Sequence, residues 1–142
     1  MNEFCFADIY IGQKESFLKT ITAEAENSFR EITGDINPLH YDDNFAAAIP
    51  GTNFKGHISF GMLTASLYST LAGVYLPGKY SLIHSFDEIS FMHPVYTGDE
   101  LTVSGEVTKK WDELGLIMVN AFIREKKGET VSKAKIKIKV LK

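Results

Sequence analysis

The sequence predicts an α+β fold in which a curved antiparallel sheet wraps one long central helix. Three observations predict it. From about Ile58 to Tyr75 the apolar residues fall on nearly every side of a helical wheel, which marks a buried helix. After Pro77-Gly78 the chain reads as four strand-like runs joined by short turn signals, a pattern that favours antiparallel pairing. The last run sets Ala134, Ile136, Ile138 and Val140 on one face against Lys133, Lys135, Lys137 and Lys139 on the other, as in a sheet with one wet face. A buried helix needs a surface to cover it, and the inward apolar face of a four- or five-stranded sheet supplies one.

In chain order, Thr22 opens a short amphipathic helix over residues 22–33, with Ala25, Phe29 and Ile32 at i, i+4, i+7 and Gly34 as its stop. A second short helix spans Asp42 to Ala48 and ends at Pro50-Gly51, followed by a loop over 52–56. Pro77 and Gly78 end the central helix. The strand runs cover 81–91, 100–110, 116–125 and 130–141, with turns at 94–98, 112–115 and 126–128. Leu116 to Val119 is apolar on both faces, so part of the outer sheet surface is expected to be covered, and a dimer partner is one way to cover it.

The 142 residues, 44% of them hydrophobic, suit a single domain over 1–142 with a core of its own. Fifteen basic against eighteen acidic residues, with no basic run interleaved by aromatics, argue against nucleic acid as a partner. Cys5 is the only cysteine, which excludes an intrachain disulfide and a multi-cysteine zinc site and suits a reducing compartment. The first six residues lack the basic region of a secretory signal, so a cytoplasmic location is expected. The apolar stretch Phe60 to Leu76 is interrupted by Thr64, Ser66, Ser69, Thr70 and Gly73, which reads as a core helix and not a membrane span. His57, His84 and His93 have no ligand-like spacing and read as structural or surface residues; no metal and no cofactor are expected.

The segment Gly34-Asp-Ile-Asn-Pro-Leu-His40 carries the chemistry. Pro38 bars regular helix between Asp35 and His40, so a turn opened by Gly34 can aim the acid and the base into one pocket, as proton transfer requires. Taken alone, Asp35 reads first as a turn residue after a helix-ending glycine and His40 as a satisfied buried histidine; the full motif reverses that order. Asn37 suits a loop-fixing role through side-chain to backbone hydrogen bonds.

Phe29-Arg-Glu-Ile-Thr-Gly-Asp-Ile-Asn-Pro-Leu-His40, followed by Phe45-Ala-Ala-Ala48, resembles the signature of the MaoC-like, (R)-specific enoyl-CoA hydratases, the hydratase 2 group of hot-dog-fold proteins. Gly61 to Ser69 resembles the start of that family's central helix, Leu76 to Lys79 the loop that ends it, and Phe91 to Asp99 the strand and turn beyond, so the likeness covers roughly residues 22–105. The resemblance implies a hot-dog fold, a homodimer or higher assembly, and reversible syn addition of water to a trans-2-enoyl thioester of coenzyme A or acyl carrier protein. It makes Asp35 and His40 the catalytic pair, Gly61 the amide that polarises the thioester carbonyl, and Ser69 a supporting hydroxyl. Asn37, Ser69 and Phe60 are the candidate substrate-side residues. Relatives commonly carry His before the glycine aligned with Gly61; Phe60 stands here, with His57 three positions upstream, a change expected to alter pocket shape but not the backbone donor.

Hydration of a conjugated thioester needs an activated water, a proton for the α-carbon and a donor for the developing oxyanion, and Asp35 is the expected principal base. A non-catalytic acyl-thioester binding subunit and a hot-dog thioesterase are the alternatives. Ser69 also reads as a plain small residue in a packed helix, and Gly61 as one that permits close packing. The lysine-faced strand suits a solvated edge better than a carrier-protein dock, and Lys55 and Lys79 are equally open to phosphate contact.

Overall fold

The computed structural model spans Met1–Lys142. Its five-stranded sheet has the order β1-β3-β4-β5-β2, built from β1 (Lys14–Thr20), β2 (Ser81–Phe91), β3 (Glu100–Trp111), β4 (Leu116–Glu125) and β5 (Thr130–Val140). Every neighbouring pair is antiparallel. Helix α1 (Ala23–Thr33) and the short α2 (Asp43–Ala47) precede the central helix α3 (Gly61–Thr70), which continues into one wider π-helical turn, Leu71–Tyr75.

The expected caps are present. The Thr22 hydroxyl accepts the Ala25 amide at 3.1 Å, and Gly34 takes the left-handed region at φ 71°, returning its amide to the Arg30 carbonyl. The Asp42 carboxylate caps α2 by accepting the Phe45 amide at 3.0 Å.

The core lies between α3 and the inner face of the sheet. Tyr68, Leu71 and Leu76 from the helical segment meet Leu101, Val103 and Val107 of β3, Ile117, Val119 and Ile123 of β4, and Ile136 and Ile138 of β5. The helical segment packs tightly on the sheet at Gly105, where a Cβ would sit 2.8 Å from both Leu71 Cδ2 and Val119 Cγ1. The buried Tyr68 hydroxyl donates to Ser132 Oγ at 2.8 Å, and burial pushes the phenol up to about 12.

Four features differ from the sequence reading. β1 is not among the four strand runs read from the sequence; Phe17 is its one large inward residue, and that ring stacks on Tyr75 at 4.8 Å. In α1, Glu26 is 3% exposed whereas Ile32 is 81% exposed, so the helix buries a carboxylate and leaves an apolar residue outside. The central helix is covered on only part of its circumference: Thr64, Ala65, Leu67 and Tyr68 are buried, but Met62, Ser66 and Ser69 are exposed. Met118 is already buried within the chain, so the apolar run Leu116–Val119 calls for no partner; the uncovered apolar surface lies on α3 and the edge strand β2 instead.

The lysine face of β5 is paired with β2 acids. Lys133 and Lys135 approach Glu88 at 3.7 and 3.4 Å, and Lys137 approaches Asp87 at 3.1 Å. Such exposed pairs add little stability, but they compensate the charge that a docking site would present. No helix is long and apolar enough to cross a membrane.

Gly105→Val places a branched side chain against Leu71 and Val119 and should lower the unfolding free energy by about 1–3 kcal/mol, read from the shift in urea midpoint at unchanged slope.

Candidate active site

The segment after Gly34 is shaped by a relay of side-chain to backbone bonds. Thr33 Oγ1 accepts the Asp35 amide at 3.2 Å, Asp35 Oδ1 accepts the Asn37 amide at 3.1 Å, and Asn37 Oδ1 accepts the Leu39 amide at 3.0 Å. Pro38 then opens a 3-10 turn, Pro38–His40, as suits a residue with no amide hydrogen and a fixed φ. The turn reading and the catalytic reading of Asp35 are compatible. One carboxylate oxygen builds the loop, and the other faces His40.

His40 Nδ1 lies 2.9 Å from the Ile58 carbonyl oxygen. A carbonyl only accepts, so Nδ1 carries the hydrogen, and in the neutral ring the lone pair belongs to Nε2. Nε2 stands 3.9 Å from Asp35 Oδ2, too far for a direct hydrogen bond; the two side chains are 13% and 44% exposed. Both atoms are acceptors. One water that donates a hydrogen to each would therefore be held with its lone pairs turned away from both.

Phe60 packs its ring 4.3 Å from the His40 ring and 5.1 Å from that of Phe29, and is 2% exposed. It also caps α3 without a side-chain hydrogen bond. The amides of Gly61 and Met62 at the helix start have no carbonyl one turn earlier to bond, and the helix dipole places its positive end there. A Cβ on Gly61 would stand 3.4 Å from the Phe91 ring, which packs beside the start of the helix.

Asp35, His40, Phe60 and Gly61 thus line one cleft of about 340 Å³, together with Met62 and Phe91. An adjoining pocket of about 250 Å³ shares His40, Gly61 and Phe91 and is walled largely by Phe54, Ile58, Met92, Val95 and Val131. Its apolar lining suits a hydrocarbon chain next to the polar pair. A larger groove of about 500 Å³ over the outer face of β1, β3 and β4 has a polar lining that includes Lys14, Glu106 and Arg124 but no histidine, and it lacks a comparable acid and base.

Two candidate residues stand apart from this cleft. Asn37 spends its carbonyl oxygen on capping the 3-10 turn and lines neither pocket. Ser69 lies eight positions along the helix from Gly61, about 12 Å by helical rise, with an exposed side chain. No group of three or more His, Cys, Asp or Glu side chains has a geometry suited to a metal ion.

By its spacing His57 reads as a structural or surface residue. The structure joins it to Asp43, Thr97 and the buried Glu26, beside a cavity of about 410 Å³ on another side of His40. Hydrogen bonds from the backbone and ring of His57 hold the Asp43 carboxyl below its ordinary value of 3.8. Nothing in the spacing of these four residues announces the cluster, because they come from four separate segments.

The sequence profile of the MaoC like domain matches residues 10–127. The chain belongs to the MaoC-like family. Over 98 residues this MaoC-like chain is 45% identical to the (R)-specific enoyl-CoA hydratase of Aeromonas caviae, covering 69% of this chain and 70% of that protein. It is 36% identical over 104 residues to the 3-hydroxybutyryl-CoA dehydratase of Methylorubrum extorquens, covering 73% of this chain and 64% of that one. An unliganded (R)-hydratase from Pseudomonas aeruginosa superposes with a TM-score of 0.87 at 28% identity, over 97% of this chain and 86% of the other, and the fold is accordingly the hot-dog fold.

Nitrogen-15 spectra should show neutral His40 as a single tautomer with its hydrogen on Nδ1; a ring protonated on Nε2 would contradict the bond to Ile58.

Proposed function

We propose that this MaoC-like chain is a hydro-lyase that reversibly hydrates trans-2-enoyl thioesters of coenzyme A to (R)-3-hydroxyacyl thioesters. The observation that carries the reading is the pair of acceptors, Asp35 Oδ2 and His40 Nε2, 3.9 Å apart in the cleft that also holds the start of α3. The names of the hydratase and dehydratase relatives support the same reaction in its two directions.

In hydration, the water donates one hydrogen to Asp35 and one to His40 Nε2, and its oxygen attacks C3 of the enoyl group. Asp35 takes its proton as the C3–O bond forms. The electrons of the C2–C3 double bond move to the thioester oxygen, where the Gly61 amide donates to the developing enolate. Asp35 then returns the proton to C2 as the carbonyl reforms, and addition on one face follows from use of one carboxyl for both steps. Dehydration is the reverse. The apolar pocket beyond Gly61 takes the acyl chain.

The working unit is a homodimer. The edge strand β2 exposes Leu82, Phe86, Ile89 and Phe91, and the adjoining helix face exposes Met62, leaving both unpaired backbone and apolar surface uncovered. Phe91 and Met62 also line the cleft, so a second copy seated on this face would complete its wall.

Asp35→Asn should keep the fold by circular dichroism yet reduce the loss of enoyl absorbance with crotonyl-CoA by about 10²–10⁴-fold. Wild-type turnover in that variant would remove Asp35 from the mechanism, and release of free thiol by the unaltered protein in place of hydration would favour a thioesterase. Leu82→Lys combined with Phe86→Lys should give a monomer by sedimentation and lose most hydration activity; an unchanged dimer would move the interface elsewhere.

A further inference from the structure

Residues 56–59 run between the Asp35–His40 loop, α2 and the loop that follows β2. Ile58 is bonded twice to the catalytic turn: its amide donates to the Leu39 carbonyl at 3.0 Å, and its carbonyl accepts His40 Nδ1–H at 2.9 Å. On its other side the Ser59 amide donates to the Val95 carbonyl at 2.7 Å. The Ile58 carbonyl therefore selects the His40 tautomer, and whatever holds residue 57 helps to hold that carbonyl.

Residue 57 is held on three sides. The His57 amide donates to Asp43 Oδ1 at 2.9 Å, and the ring Nδ1 lies 2.5 Å from the same oxygen. His57 Nε2 lies 2.9 Å from Thr97 Oγ1 and 3.5 Å from Glu26 Oε2. Thr97 already donates its hydroxyl hydrogen to Glu26 Oε1, at 2.5 Å, so its oxygen can only accept from His57. Both ring nitrogens thus face acceptors, and the directions of these bonds call for a hydrogen on each. Glu26 is 3% exposed and its Oε2 has no hydrogen-bond partner, so a cationic His57 is the nearby charge that compensates it. Arg30 and His40 line the same cavity, but the Arg30 guanidinium lies over the Tyr41 ring, 4.9 Å from its centroid. A Cβ on Gly56 would come 2.8 Å from Asp43 Oδ1, so the residue before His57 leaves room for the carboxylate.

We propose that His57, clamped as a cation between Asp43 and Glu26, is a positioning residue for the hydration chemistry: it fixes the Ile58 carbonyl and, through it, the tautomer and orientation of His40. The inference rests on the function proposed above. If the clamp is lost, the carbonyl is free to shift and His40 to place its hydrogen on Nε2, where it would compete with the water for Asp35. His57 lines neither the cleft nor the apolar pocket, so the loss belongs in kcat and not in substrate binding.

The test uses the full chain and crotonyl-CoA, with His57→Phe, which keeps a ring but no nitrogen, and Asp43→Ala, which removes an exposed carboxylate and leaves the Asp42 cap of α2 in place. Both variants should lower kcat about tenfold at nearly constant KM, as expected for misplacement of a catalytic group. Nitrogen-15 spectra should show His57 of the unaltered protein with hydrogens on both nitrogens, and His40 of the variants as a tautomer mixture. His57→Arg, a fixed cation with several donors, should restore most of kcat. Unchanged kcat and an unchanged His40 tautomer in both folded variants would overturn the proposal, as would a singly protonated His57. Full turnover in Asp35→Asn would instead overturn the hydratase mechanism itself. An inactive Asp35→Asn beside fully active His57 and Asp43 variants would sink the positioning role alone.

Discussion

The close seat of α3 in the curve of the sheet is the constraint on which the rest depends. Gly105 lets the helical segment approach β3 without an intervening side chain, and Leu71 fills the space a Cβ would take. Tyr68 then reaches through the core to Ser132, so both packing and a buried hydrogen bond fix the helix along and around its axis. With the axis fixed, the start of α3 has a fixed address, and Gly61 presents its unpaired amide beside the one loop that carries an acid and a base. A shift of the helix by a single ångström would separate that amide from the pair, which couples core packing to the geometry of the proposed site in a domain this small.

The proposed chemistry follows from hydrogen-bond accounting more than from charge. The Ile58 carbonyl selects the His40 tautomer, the Asn37 amide occupies one oxygen of Asp35, and the atoms left over are two acceptors facing one another. Two acceptors at 3.9 Å are a poor direct contact and a good cradle for one water. The same accounting gives His57 the opposite character, since acceptors face both of its nitrogens. Two histidines, in segments joined directly through Ile58, are thereby assigned different work without reference to their intrinsic acidity.

The sequence made visible those parts of the fold that rest on local rules. Thr22 and Gly34 bracket α1 because capping and left-handed backbone are properties of single residues, and the alternation of β5 is a property of one strand. Asp35 and His40 were legible as a pair because Pro38 restricts the few residues between them. β1 was not legible, since an edge strand with one inward aromatic has no period to read. Burial of Glu26 was hidden for a different reason: its partners, His57 and Thr97, come from distant segments, and only the folded chain brings them to a carboxylate that helical periodicity assigns to solvent. The link from His40 to Ile58 was hidden too, because a backbone carbonyl has no residue type by which to announce itself.

Phe60 shows how a departure in sequence can leave the reaction geometry intact and still change its surroundings. The N-cap position contributes backbone, so replacing a polar ring by an apolar one leaves the amide of Gly61 where it was. The side chain, however, lies against His40 and has neither donor nor acceptor to offer it. That face of the imidazole is therefore dry, and in a dry setting the bond from Nδ1 to Ile58 and the approach of water to Nε2 have fewer polar competitors. A histidine at 60 would instead bring two more ring nitrogens into the same space, each in need of a partner. Phe60 thus trades a possible polar contact for a single orientation of His40, at the cost of a floor that favours apolar portions of a substrate over polar ones.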